Sequence, residues 1–191
     1  MANNCYNTAS IEGSKEMLDL FEKRLTEATA NETKHLWWET YFAVLGKEVV
    51  DGDVYDKFGA RWFEPFWERH SPTSGVLSGD SAWSPVSQFL LQLSEVFQFE
   101  IESEYEECGC DFGGWFNCKN GEVTKDVTVS YQVYRLTEGD TEYFYTVLED
   151  IEDGYWDSID QMNQDFIDML SETQKQELID TFNKTHENNK N

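Results

Sequence analysis

Proline is nearly missing from this chain, with 3 residues in 191, so a Pro-rich linker is excluded. Histidine is as scarce. His35, His70 and His186 are the whole set, and none stands in a His-Glu-x-x-His or Gly-x-Ser-x-Gly pattern. No Gly-rich phosphate loop closed by Lys and Ser or Thr occurs. Carboxylates are too plentiful for an acid–base pair to stand out. Enzyme signals are therefore thin, and a non-catalytic protein without a cofactor is the expectation. Long apolar runs are missing too: nothing approaches the roughly 20 residues that span a bilayer. The N-terminus, Met1-Ala2-Asn3-Asn4-Cys5-Tyr6-Asn7, offers neither the basic region nor the apolar core of a signal peptide. That predicts a cytoplasmic chain whose 4 cysteines meet a reducing compartment.

The shortage of cations says most about partners. Lys plus Arg number 14 against 38 Asp plus Glu, a net charge of −24. A field of that sign repels nucleic acid and anionic membranes and attracts basic surfaces. The expected partner is thus the basic surface of another protein, with no direct nucleic acid and no membrane. General solubility is the plainer use of such charge.

What is present suffices for a core. Aromatic residues make up 15% of the chain, and they bury the apolar area that offsets chain entropy. Cys5 to Ile11 alternates and ends at Gly13, a first strand and turn. Ser14 caps a helix with Met17, Leu18, Phe21 and Leu25 at helical spacing. A second helical stretch starts at Asn31, with Trp37, Tyr41, Val44 and Leu45 as its stripe and Gly46 near its end. Asp51-Gly52-Asp53 is a turn. Arg61 to Glu68 reads as an extended edge segment because of Pro65, and Val76 to Ala82 as a weak strand. Ser84-Pro85 opens a helix, with Pro at the first helical position. Val86, Phe89, Leu90, Leu93 and Val96 are its stripe.

Phe97 to Glu106 alternates as a strand. A glycine-bent strand about Gly113 to Cys118 follows, then the tight turn Asn120-Gly121. Val127 to Leu136 and Tyr143 to Leu148 read as a hairpin around Glu138-Gly139-Asp140. Trp156, Ile159, Met162, Phe166 and Leu170 form one helical stripe. Ser171 with Gln174 resembles a capping box for a last helix carrying Leu178 and Phe182. Helices and strands do not alternate regularly, which predicts an α+β domain: an antiparallel sheet with helices on one face. The expected limits are 1–150 for that domain, with a helical insertion about 31–50. A helical extension at 151–185 and a frayed tail at 186–191 complete the chain.

Several segments resemble the YubB-like proteins, a ferredoxin-like family of plasmids, integrated elements and phages. Asn4-Cys5-Tyr6-Asn7 with Ile11 and Gly13 looks like the family's opening Trp-Cys-x-Asn strand and turn, with Asn4 where the family has Trp. Phe58-Gly59-Ala60-Arg61-Trp62 looks like its Trp-Gly-x-Lys-Trp segment, and Ala82-Trp83-Ser84-Pro85 like its Trp-Ser-Pro helix start. Tyr105-Glu106-Glu107-Cys108-Gly109 and Phe112-Gly113-Gly114 resemble its Tyr-x-Glu-x-Gly and Phe-x-Gly pattern. The resemblance covers roughly residues 1–123. It implies a split βαβ, ferredoxin-like core, no iron–sulfur cluster, no catalytic residues to carry over, and a mobile-element setting in a bacterial host.

Two acidic stretches are the candidate partner-binding residues. On the alternating strand, Glu100, Glu102, Glu104 and Glu106 share one face at about 6.6 Å intervals. That spacing is of the order of successive phosphates on a nucleic-acid strand, so the face could mimic nucleic acid toward a basic groove. A solvated face, or an edge guarded against aggregation, is the plainer reading. Further on, Glu149, Asp150, Glu152 and Asp153 lead toward Asp157 and Asp160. A helix N-terminus there would explain the first four electrostatically.

The cysteines carry the alternative. Cys5, Cys108, Cys110 and Cys118 could bind zinc as four thiolates, although Cys-x-Cys lacks the usual knuckle spacing. A Cys110–Cys118 bridge is conceivable on oxidation. An enzyme on small or carbohydrate substrates, with Trp and Tyr stacking on sugars, is the other alternative. A calcium loop fits neither Asp51-Gly52-Asp53 nor Asp150 to Gly154.

Overall fold

A computed structural model of the chain describes residues 3–30, 38–47, 58–137, 141–156 and 158–188. The turn at Asp51-Gly52-Asp53, Trp37, Asp157 and the Glu138-Gly139-Asp140 loop lie outside the described residues.

Strand β1 (Asn4–Glu12) alternates as expected, with Cys5, Asn7, Ala9 and Ile11 buried. Ser14 then caps α1 (Lys15–Thr29), accepting from the Met17 N–H at 3.3 Å, and turns Leu18 and Phe21 inward. Within the expected insertion, α2 (Trp38–Leu45) buries Tyr41, Val44 and Leu45. The Tyr41 ring packs on Phe58 and Phe89 at centroid distances of 4.9 and 4.8 Å.

Strands β2 (Phe63–Ser71) and β3 (Ser74–Ala82) form a hairpin. β2 is a sheet edge, the position where Pro65 costs no ladder hydrogen bond. Its Trp67 and Arg69 point to the helical side: Trp67 donates to Glu22 of α1 at 2.8 Å, and Arg69 reaches Asp19 and Glu22 at 2.9 Å.

Helix α3 (Ser87–Phe97) starts two residues later than Ser84-Pro85 suggests. The Ser84 hydroxyl bonds to the carbonyls of Gly59 and Ala82 instead of capping a helix. The free N–H of Val86 donates to Asn7 Oδ1 at 3.1 Å, so a side chain of β1 does the capping. The helix runs on to Phe97 and stops at Gln98, which turns left-handed at φ 56°. Strand β4 (Glu100–Glu107) therefore begins later than the alternation from Phe97 implied.

Strands β5 (Phe112–Lys119) and β6 (Glu122–Val129) are joined by Asn120 and Gly121 at φ 51° and 83°, the left-handed pair a tight hairpin turn requires. A Cβ on Gly114 would sit 2.1 Å from the Val127 carbonyl oxygen, so glycine lets β5 approach β6 there.

The sheet order is β2-β3-β1-β4-β5-β6, with β1 antiparallel to both β3 and β4. The first four strands with α1 and α3 form the split βαβ arrangement, and β5 and β6 extend it.

Beyond β6 the expected hairpin is replaced by helices. Tyr131–Thr137 is α4 and Thr141–Glu152 is α5. Their β-branched and aromatic residues, Val133, Phe144 and Val147, are buried in a helical core with Ile151, Phe166, Leu178 and Phe182. Packing outweighs their strand propensity. The single stripe from Trp156 to Leu170 is broken: a 3-10 turn at Ile159–Gln161 precedes α6 (Gln164–Met169), which Asn163 caps. The capping box holds, with the Ser171 N–H donating to Gln174 Oε1 at 3.0 Å and the Gln174 N–H to Ser171 Oγ at 3.3 Å. It opens α7 (Glu172–Asn188), whose backbone stays helical past the point where fraying was expected.

The chain divides into two compact units, Met1–Cys110 with Gly114–Thr128, and Asp111–Gly113 with Val129–Asn191. The boundary expected near residue 150 falls inside α5.

Candidate interaction surface

The Glu ladder of β4 exists as read. Ile101, Ser103 and Tyr105 point into the core, and Glu100, Glu102, Glu104 and Glu106 occupy the opposite face, the first two exposed and the other two half-buried. Among the described residues of this unit, α1 and α3 pack against the buried side of the sheet, opposite the ladder.

Strand register supplies the rest of the surface. Across β1, Tyr6 stands opposite Glu106, Thr8 opposite Glu104, Ser10 opposite Glu102 and Glu12 opposite Glu100. On its other side Tyr6 stands opposite Asp80 of β3. Asp80 in turn stands opposite Glu64 of β2, and Glu68 opposite Val76. Glu12, Glu64, Glu68 and Asp80 thereby join the four residues of the ladder on one sheet face. Two pairs, Glu12 with Glu100 and Glu64 with Asp80, are directly opposed like charges, an unfavourable cross-strand arrangement. Lys119 of β5 sits 2.5 Å from Glu100 and offsets part of one pair. The neighbouring carboxylates raise the Lys119 pKa, through its hydrogen bond to Glu100 first and the charge of Glu12 last. Asn4 donates to Asp80 at 3.4 Å.

Two aromatic rings stand on the same face: Phe66, 63% exposed, and Tyr6, 48% exposed. Trp67 packs edge-on against Phe21 at 5.0 Å. Among the described tryptophan side chains Trp83 is the exposed one, at φ 60° beside the Arg61 guanidinium.

The second acidic stretch sits differently from its expectation. Glu149, Asp150 and Glu152 occupy the last turn of α5, and Asp153 follows it. That is the carbonyl end of a helix, where negative charge is unfavourable, so the helix-dipole explanation is withdrawn. Lys184 lies 3.2 Å from Glu152. Asp160 is exposed on the 3-10 turn, and Asp157 lies outside the described residues. These residues belong to the second unit, the ladder to the first.

The four cysteines do not converge. Cys5 on β1 and Cys118 on β5 are buried with β4 between their strands, while Cys108 and Cys110 are exposed past the end of β4. Burial pushes the Cys5 thiol up to about 12 and the Cys118 thiol up to about 11. Among the described residues, no group of three or more His, Cys, Asp or Glu is arranged to hold a metal. Cys110 precedes β5 and Cys118 lies near its far end, roughly 25 Å along an extended strand. A bridge between them needs Cα atoms within about 7 Å, so that expectation fails.

A shallow, open depression of about 570 Å³ runs along α7, lined by Thr173, Gln176, Glu177, Asp180, Thr181 and Lys184. Its walls come from one helix, so it encloses no converging catalytic groups.

A carboxylate the sequence reading passed over is Glu107, 2% exposed on the core face. It accepts from the Gly109 N–H at 3.1 Å and from the Cys110 N–H. Parity was the available signal: Glu107 continues the inward series of Ile101, Ser103 and Tyr105.

Strand order and helix placement define a ferredoxin-like fold, as expected. A family model described as "Ferredoxin-like domain in Api92-like protein" matches residues 62–148. Among solved structures, the protein api92 from Yersinia pseudotuberculosis is similar at 11% identity and a TM-score of 0.44, over 69% of this chain and 98% of that one. No curated protein matches the chain. Among the described residues, no helix is long and apolar enough to cross a membrane.

Proposed function

We propose that the chain is a non-catalytic binding protein whose acidic sheet face docks onto the cationic surface of a nucleic-acid-handling protein and competes there with nucleic acid. The setting in this reading is the bacterial cytoplasm, in a YubB-like accessory protein of a phage or other mobile element that blunts a host defence. The observation that carries it is the pair of directly opposed like charges, Glu12 with Glu100 and Glu64 with Asp80. Solubility alone is served as well by Thr or Lys at those positions, without the repulsion. Carboxylates repeat about every 6.6 Å along β4 and about 4.8 Å across strands, a density comparable to a phosphate backbone. Phe66 and Tyr6 add apolar contact area, which charge pairing alone does not supply.

The test is competition. Labelled duplex DNA bound to a cationic DNA-binding protein is titrated with the chain at rising salt. Displacement that weakens steeply with salt, and is lost when Glu100, Glu102 and Glu104 are together changed to Lys, is the expected result. Displacement indifferent to both changes removes the proposal.

A further inference from the structure

Cys108, Gly109 and Cys110 form one 3-10 turn at the end of β4, and all three are exposed. Both thiols are free. A rise of about 2.0 Å per residue places Cα atoms two apart in such a turn about 5 Å from each other, within the ~4.4–6.8 Å range of disulfides. The other two cysteines are 0% and 1% exposed and take no part. Beneath the turn, the buried Glu107 carboxylate holds the Gly109 and Cys110 N–H groups. Hydrogen bonding to Glu107 also raises the Cys110 thiol above its ordinary value, which disfavours Cys110 as the first to attack. A Cβ on Gly109 would lie 2.6 Å from Asn3 Nδ2. Glycine fits there, and it is also the residue that most readily changes its backbone angles.

We propose that Cys108 and Cys110 form a redox-active dithiol that exchanges with small disulfides of the glutathione class. The Cys108 thiolate attacks one sulfur of glutathione disulfide. That S–S bond breaks, and one glutathione thiolate leaves and takes up a proton. Cys110 then gives its proton to solvent and attacks the Cys108 sulfur of the mixed disulfide. The Cys108–Cys110 bond forms and the second glutathione departs, protonated in turn. The protein loses two electrons and two protons, and glutathione disulfide becomes two thiols. Side chains two apart in a 3-10 turn diverge, so closure reshapes the turn and draws the Gly109 and Cys110 N–H groups away from Glu107.

The whole chain serves for the test. An aromatic disulfide reagent should consume two thiols quickly in the native protein and the remaining two only after unfolding. In buffers rich in glutathione disulfide, the intact mass should fall by about 2 Da, with peptide mapping placing the bond between Cys108 and Cys110. Cys108→Ser and Cys110→Ser should each stop at a mixed disulfide with one glutathione. A native chain with fewer than two fast thiols overturns the proposal, as does one that takes up two glutathiones without an internal bond.

Discussion

Asn7 is 3% exposed, and a buried amide is costly unless its polar atoms find partners. Its Nδ2 donates to the Cys5 carbonyl and Ser81 Oγ, each at 2.9 Å, and to the Gly79 carbonyl at 3.3 Å. Its Oδ1 accepts the Val86 N–H that α3 leaves open. One side chain thereby ties β1, β3 and the start of α3 together. It also links two segments that carried the family resemblance, Asn4 to Asn7 and Trp83 to Pro85. Their hydrogen bonds fasten the core. Asn7→Ala strands the Val86 N–H and the carbonyl partners in the interior, so a loss of about 2–4 kcal/mol is expected in urea denaturation. A loss below about 0.5 kcal/mol would mean that water replaces the amide. The strand around Asn7 was legible from its alternation. The hub was not, because its partners lie more than 70 positions away in sequence. The Tyr41 hydroxyl, buried without a partner among the described residues, was equally hidden: nothing local distinguishes it from a satisfied tyrosine.

At the scale of elements, the period of two gave β4 its acidic face but not the face's extent. Glu12, Glu64 and Asp80 join the ladder only through strand register, set by pairings between segments far apart in the chain. The helices after β6 failed for a related reason. Tyr131, Val133, Tyr143 and Val147 are strand formers by composition, yet Phe144, Val147 and Ile151 already stand at helical spacing, and that pattern decides where they bury. The acidic face makes its own prediction. Asp80→Asn keeps the side-chain shape and removes one of two directly opposed charges. Stability should rise by roughly 0.2–1 kcal/mol. Binding to the cationic partner should weaken in the same variant. Opposite signs in the two assays are the mark of charge retained for docking at a cost to the fold. A variant that loses stability, or gains stability with binding untouched, makes Asp80 an ordinary surface residue.

For the whole molecule, a net charge of −24 sets the terms on which the fold persists. Self-repulsion acts across many pairs at once, and among the described residues the ion pairs that oppose it are mostly exposed, such as Lys15 with Asp19 and Lys23 with Glu27. Exposed pairs contribute little. Salt shortens the screening length from about 30 Å at 0.01 M to about 3 Å at 1 M, which weakens both attraction and repulsion. With carboxylates far in excess, repulsion is the larger quantity lost. The melting temperature should therefore climb with sodium chloride, by about 2–4 °C for each kcal/mol of repulsion relieved. Association with a basic partner should fall over the same range, since the same field drives it. The two trends share one cause and must run in opposite directions. A melting temperature that drops with salt would place the stabilising weight on ion pairs. The acidic excess would then cost the fold nothing, and the opposed carboxylates of the sheet face would no longer argue for a partner.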